Sequence, residues 1–230
     1  MAFPNTTPLT YIFISSIFAA AAASTGWCVL TGNSAGLAGV ALDYITIFVP
    51  MSLFSFQISG IVGSGAALFG AALITGAVFG IGLFLWSRRL PIRDAQPTPP
   101  LVRWSFIVFV IALVAAGIAL VLKLPNNLPW TLTPELSVVA GWIFIGAAAY
   151  FGYGVLRPGW FNAGGQLAGF LAYDIVLIVP FMQRLPTVAD EFRFGLYFYT
   201  VVVSYSGLLA IYYLFINRAT RVKIDMSEGR

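Results

Sequence analysis

The sequence predicts an all-α, polytopic membrane protein of seven transmembrane helices, built as two parallel three-helix repeats joined by a linker helix (3+1+3). Three observations carry this expectation. Hydrophobic residues make up 60% and charged residues 9% of the 230 positions, with a mean hydropathy of +0.91, a composition that water does not solvate as a globule. Apolar runs of the ~20 residues needed to cross a ~30 Å hydrocarbon core fall at 8–30, 37–58, 61–86, 101–123, 135–156, 164–185 and 193–217. The first two of these runs also recur later in the chain.

Residues 7–30 and 133–156, offset by 126, share Thr7/Thr133, Pro8/Pro134, Ile17/Ile143, Phe18/Phe144, the Ala21–Ala23 and Ala147–Ala149 runs, Gly26/Gly152, Val29/Val155 and Leu30/Leu156, ten of 24 positions. After a four-residue insertion the offset becomes 130. LAGVALDYITIFVP (37–50) then lies over LAGFLAYDIVLIVP (167–180) with six of 14 residues identical. Helices one to three therefore match five to seven, and only an odd linker helix lets two three-helix units share one orientation. That favours seven spans over six at the weakest break, QISGIVGSG (57–65). The expected units are 1–90, the first repeat; 91–132, a Pro-rich cytoplasmic linker with helix four; 133–217, the second repeat; and 218–230, a cytoplasmic tail. Repeats of this kind place a pathway at their pseudo-symmetric centre in many transporters.

The elements follow in order. Thr7-Pro8 and Thr133-Pro134 are N-cap and first-turn proline signals for helices one and five, with Glu135 suited to a helix N-terminus. No basic residue precedes Arg88, which argues against a cleaved signal peptide in helix one. Helices two and six each carry a mid-span proline, Pro50 and Pro180, which frees the carbonyls of Thr46 and Val176 and predicts a kink. Gly and Ala crowd helices one, three and five, a pattern that lets backbones approach in lipid, either within the chain or at a subunit interface. PIRDAQPTPP (91–100) reads as an exposed connector. Helix seven holds Tyr197, Tyr199, Ser204, Tyr205, Ser206, Tyr212 and Tyr213, hydroxyls that either line a polar cavity or bond to neighbouring backbone. Asn33, Asn162 and Gln166 fall on the turns expected at the cytoplasmic side, as caps or as gate residues.

Charge sets the expected orientation. Arg88, Arg89, Arg93, Arg103, Arg157, Arg218, Arg221 and Lys223 fall on one side, whereas Lys123, Glu135, Arg184, Asp190, Glu191 and Arg193 nearly cancel on the other. Retention of basic loops in the cytoplasm then puts the N-terminus outside and the C-terminus inside, in a plasma or inner membrane. The net charge of +4 reports insertion, and no nucleic-acid partner is expected. Trp86, Trp104, Trp130 and Trp160 lie near helix ends, as an interfacial aromatic belt would.

The chain has no histidine and one cysteine, Cys28. Haem ligation through His, and His-carboxylate diiron or zinc centres, are therefore excluded, as are an intramolecular disulfide and a thiolate cluster. No Ser-His-Asp, Cys-His, phosphate-loop or dinucleotide pattern appears. Enzymatic activity, a metal and a cofactor are not expected. A covalently bound retinal is excluded too, since the lysines, Lys123 and Lys223, lie outside helix seven.

The 3+1+3 layout resembles that of the sugar-transporting SWEET and PQ-loop families, and Pro50 and Pro180 echo their repeated prolines. The likeness is architectural. The chain has no Pro-Gln dipeptide and no mid-depth Asn in helices three and seven, where that resemblance would put a sugar site. NTTPL (5–9) is similar to the NPAPL start of the acetate-uptake family, from which the helix count and the following residues depart.

Two carboxylates remain inside the spans, Asp43 and Asp174. An ionisable side chain at mid-membrane costs about 2.5–3.5 kcal/mol or more, so its retention points to function; the alternative is an acid near the interface, or one kept neutral and bonded to a tyrosine or a freed carbonyl. Asp43, Thr46 and Pro50 share a helical face. In the repeat Asp43 opposes Tyr173 and Tyr44 opposes Asp174, a swap that turns one carboxyl by ~100° relative to the other, so one shared site does not follow from symmetry. The expected function is a small transporter or channel for a polar solute or ion, its pathway between the repeats near Asp43, Tyr44, Thr46, Pro50, Tyr173, Asp174, Pro180, Ser204 and Tyr205. The alternative is a non-catalytic integral subunit of a larger energy-converting or pigment-binding complex. Expected partners are the lipid bilayer and either further copies of the chain or other membrane subunits.

Overall fold

A computed structural model describes residues 7–221; Asn5, Thr6, Lys223 and the 222–230 part of the expected 218–230 tail lie outside the described residues. The chain is all-helical: α1 (Pro8–Leu30), α2 (Leu37–Val62), α3 (Ser64–Ser87), α4 (Pro100–Val121), α5 (Pro134–Leu156), α6 (Trp160–Arg184) and α7 (Asp190–Ile211). All seven are long and apolar enough to cross a membrane. A 3-10 turn, Ser34–Gly36, leads into α2, and α7 ends in a π-helical turn, Tyr212–Ile216.

The cap signals are realised unequally. Thr133 is extended and accepts from the Leu136 amide at 3.3 Å, whereas the Thr7 hydroxyl pairs with that of Thr10 at 3.0 Å instead of capping α1. The helix runs unbroken through Pro50 in α2 and through Pro180 in α6. α6 starts at Trp160, four residues before the apolar run suggests. Gly159 is extended and the Trp160 amide donates to the Gln96 carbonyl at 2.7 Å, so the turn is short and Asn162 and Gln166 belong to the helix.

The break between α2 and α3 rests on a single residue. Gly63 adopts φ 103° and ψ 178°, a conformation open to glycine almost alone. It folds α3 back on α2, with Gly70 against Phe56, Gly76 against Phe48 and Gly80 against Ile45. No atom would crowd a Cβ at Gly63, so the cost of Gly63→Ala is conformational, about 1–3 kcal/mol. A lowered thermal midpoint in detergent is the expected result, and an unchanged midpoint would contradict the turn.

α1 runs antiparallel to α6, with Trp27 against Gly164, Ser24 against Gly169 and Phe13 against Tyr173. α5 runs antiparallel to α2 on one side and to α4 on the other. α7 packs on α6, while α3 lies outermost and packs chiefly on α2. Two apolar clusters close the ends of the bundle. One joins Leu9, Phe13, Trp130, Phe181, Val188 and Leu196; the other joins Val102, Phe106, Trp160, Leu167 and Leu214. Trp130 and Trp160 are therefore core residues, held by ring contacts such as Trp130 to Phe13 at 5.8 Å, and only Trp86 and Trp104 stand exposed as belt residues would. Arg93 lies over Gly32, and Gln96 holds Trp160. The first turn, the linker and the α5–α6 turn thus share one end of the bundle, the end rich in arginine.

Candidate functional site

Between the two end clusters lies a cavity of about 330 Å³. Its walls come from α1, α2, α4, α5, α6 and α7, and it extends from Gln166 at the arginine-rich end to Asn127 and Gly195 at the other. Ala and aliphatic side chains with the rings of Phe109, Phe144, Tyr150, Phe151, Phe170, Tyr173, Phe198 and Tyr199 make up most of the lining. Both acids line it.

Each carboxyl sits over a glycine of a neighbouring helix. Asp43 of α2 lies over Gly146 of α5, and Asp174 of α6 lies over Gly207 of α7, where the missing side chain leaves room for a carboxyl in a packed interior. Cys28 touches both Gly36 and Gly165, which fixes a common level for α2 and α6. Asp43 is seven residues beyond Gly36 and Asp174 nine beyond Gly165, so at ~1.5 Å per residue the carboxyls stand about 10 and 13 Å above that level. Although Asp and Tyr are swapped by one position when 37–50 is aligned with 167–180, both acids reach one cavity at nearly one depth.

Neither acid is fully satisfied by hydrogen bonds. Asp174 is buried and both its oxygens lack a hydrogen-bond partner, as does Oδ1 of Asp43. Ser206 lies beside Asp174, yet its hydroxyl donates to the carbonyls of Val202 at 2.9 Å and Val203 at 3.2 Å. Among the described residues no Lys or Arg lines the cavity. Other polar groups of the wall are partly committed: Tyr173 and Tyr199 share a hydroxyl–hydroxyl bond of 2.7 Å, and Gln166 Nε2 donates to the Tyr150 carbonyl at 2.6 Å, leaving Oε1 without a partner.

Of the nine pathway residues expected from the sequence, Asp43, Tyr173 and Asp174 meet at the cavity and the other six do not line it, whereas Gln166 and, from the hydroxyls of helix seven, Tyr199 and Ser206 do. Tyr44 stacks on Phe48 at 5.5 Å, the direction the α-helical period gives it one residue away from Asp43. Thr46 donates to the Leu42 carbonyl at 2.8 Å and Ser204 to that of Thr200 at 2.8 Å, so both hydroxyls serve their own helices. Tyr205 is 43% exposed and bonds Ser105 of α4 at 2.7 Å. Pro50 and Pro180 are half-buried within their helices. Ser24, Tyr150, Gln166 and Tyr199 complete the wall. A signal for Tyr150 and Ser24 was available, since the two occupy the same place in the repeat.

No family model matches the chain, and neither a curated protein nor a solved structure matches it.

Proposed function

We propose that the chain is an integral membrane carrier, its N-terminus outside and its C-terminus in the cytoplasm, that moves a solute or ion through the cavity between two parallel three-helix repeats. The observation that carries this reading is the pair of carboxyls, three of their four oxygens without a hydrogen-bond partner and no Lys or Arg beside them among the described lining residues, on the wall of one internal cavity. A membrane protein keeps such groups at a cost of several kcal/mol, and a cavity gives them something to hold.

Packing supports the repeat independently of the sequence match. Exchanging the repeats turns the α1–α6 contact into the α5–α2 contact, and both pairs are among the main packings of the fold. Gly39 faces Tyr150 while Gly169 faces Ser24, and Cys28 abuts Gly36 while Gly154 abuts Gln166; each residue of one pair is the register partner of a residue in the other. Ile17, Ala21 and Ser24 line the cavity, as do their partners Ile143, Ala147 and Tyr150. The exchange fails at the third helix, since α7 lines the cavity and α3 does not. The arginine-rich end, facing the cytoplasm by the usual retention of basic loops, supports the orientation.

The test is uptake into proteoliposomes holding the purified chain, across a panel of amines, sugars, carboxylates and inorganic ions. Asp174→Asn is expected to lower uptake of the transported member at least tenfold, while Asp190→Asn, on an exposed residue paired with Arg193 at 2.7 Å, leaves it unchanged. Equal uptake by both variants would sink the role of Asp174. A second reading, an integral subunit of a larger complex, draws on α3: it packs chiefly on α2 and leaves Leu68, Val78 and Phe79 exposed. Foreign chains in the native mass of the gently extracted particle would favour it.

A further inference from the structure

The cavity is open on one side. Its lining includes Val108 and Ala112 of α4 and Phe198 of α7, residues at mid-helix that are also exposed on the outer surface of the bundle. α4 meets α7 at one end of this stretch, and at the other end it is the connection from α4 to α5 that meets α7. At the arginine-rich end Ser105 bonds Tyr205 at 2.7 Å and Phe109 meets the Tyr205 ring at 6.2 Å; at the other end Pro129 approaches Gly195. The window between these two closures stands where, in a membrane, acyl chains surround the helices.

From this geometry we infer that the cavity takes a lipophilic organic cation, admitted from the bilayer through the α4–α7 window and held at Asp43 and Asp174. The inference rests on the carrier reading and names its substrate class. A ligand arriving through hydrocarbon must be mostly apolar, which suits walls of Ala, Phe and Tyr. The unpaired atoms on those walls are mainly acceptors: Oδ1 of Asp43, both oxygens of Asp174 and Oε1 of Gln166. Among the described residues the Tyr150 hydroxyl is the one unpartnered donor on the same wall, so acceptors, two of them on one carboxyl, outnumber donors and favour a cation over an anion or a neutral acceptor. Rings of Phe144, Phe170, Tyr173 and Tyr199 on the same walls add the cation–π attraction that a desolvated organic cation finds on aromatic faces. At interior packing density, ~0.74, the cavity holds a ligand on the order of 15 non-hydrogen atoms, the size of a substituted aryl ammonium or pyridinium.

The test compares isosteres on the intact purified chain. Equilibrium dialysis in detergent measures binding of N-methyl-4-phenylpyridinium and of its neutral counterpart, 4-methylbiphenyl, which differs by one ring atom and the charge. The pyridinium is expected to bind at least tenfold more tightly, and Asp174→Asn and Asp43→Asn to reduce its affinity at least tenfold without altering that of the neutral compound. Ala112→Trp, which places bulk at the window and leaves the acids in place, is expected to slow pyridinium association more than it changes equilibrium affinity. Equal binding of the two isosteres by the wild-type chain would overturn the inference, a result that requires no variant to fold. Uptake of a small hydrophilic amine by a chain that does not bind the pyridinium would also overturn it, while leaving the carrier reading standing. Pyridinium binding without flux in proteoliposomes would uphold the site and remove the carrier reading.

Discussion

Gly141→Leu is expected to abolish the folded bundle in detergent, while Gly152→Leu on the same helix melts close to the wild type. Gly141 of α5 and Gly117 of α4 face each other where the two helices approach most closely. A Cβ on Gly141 would come within 2.8 Å of the Gly117 carbonyl oxygen and of the Val121 amide nitrogen, both backbone atoms. One turn away the Ser137 hydroxyl donates to the Leu120 carbonyl at 2.7 Å, so the pair has little freedom to separate. Overpacking costs about 1–3 kcal/mol where side chains can yield, and here the neighbours are backbone. Close packing also drives helix association in lipid, where apolar burial between helices gains little. Gly152 has no neighbour within 4 Å of where its Cβ would stand, and leaving glycine inside a helix is worth ~1 kcal/mol on propensity alone. The sign of the alanine pair is thus expected to differ, with Gly141→Ala lowering the thermal midpoint and Gly152→Ala raising it slightly. Equal midpoints for the two would remove the close α4–α5 contact from the account of stability.

The seven helices were legible because each is long and apolar enough to cross a membrane, with no charge run to interrupt it, and because Pro and Gly mark most ends. Even the α2–α3 break was visible at 57–65, although its cause, the conformation of Gly63, is a backbone property that residue type only permits. Which way each helix faces was not legible. In most of these helices apolar residues cover every side, so no amphipathic period tells the inner face from the outer one. Tyr44 and Thr46 therefore stood level with Asp43 as candidates until packing separated them, and Gln166, read as a turn residue, proved to be wall. The sequence alignment of the two halves held the missing information in part: it pairs Tyr150 with Ser24 and Gly39 with Gly169. It is silent about α4 and α7, where the side window opens, because α4 has no counterpart and α7 departs from α3.

Asp43→Asn and Asp174→Asn together are expected to lower uptake of the carried solute no more than about threefold below the worse single variant, although each single variant lowers it at least tenfold. On the proposed carrier reading, two acids on one cavity at nearly one depth act on the same bound ligand, and groups that act as a unit lose their effect together rather than in proportion. Multiplying losses, measured as initial uptake rates in proteoliposomes, would instead assign the acids to separate steps. The same variants carry a second readout. A carboxyl whose oxygens lack partners in an apolar wall destabilises the fold, by about 1–3 kcal/mol for an unsatisfied polar group and more for a charged one, and an amide of the same shape relieves part of that cost. The asparagine variants should therefore melt at or above the wild-type temperature while losing uptake. A structural acid behaves in the opposite way, since replacing it removes bonds that hold the fold. Activity lost with stability gained is the trade expected of groups kept in place for a ligand, and a fall in the thermal midpoint of Asp174→Asn would assign that residue to the scaffold.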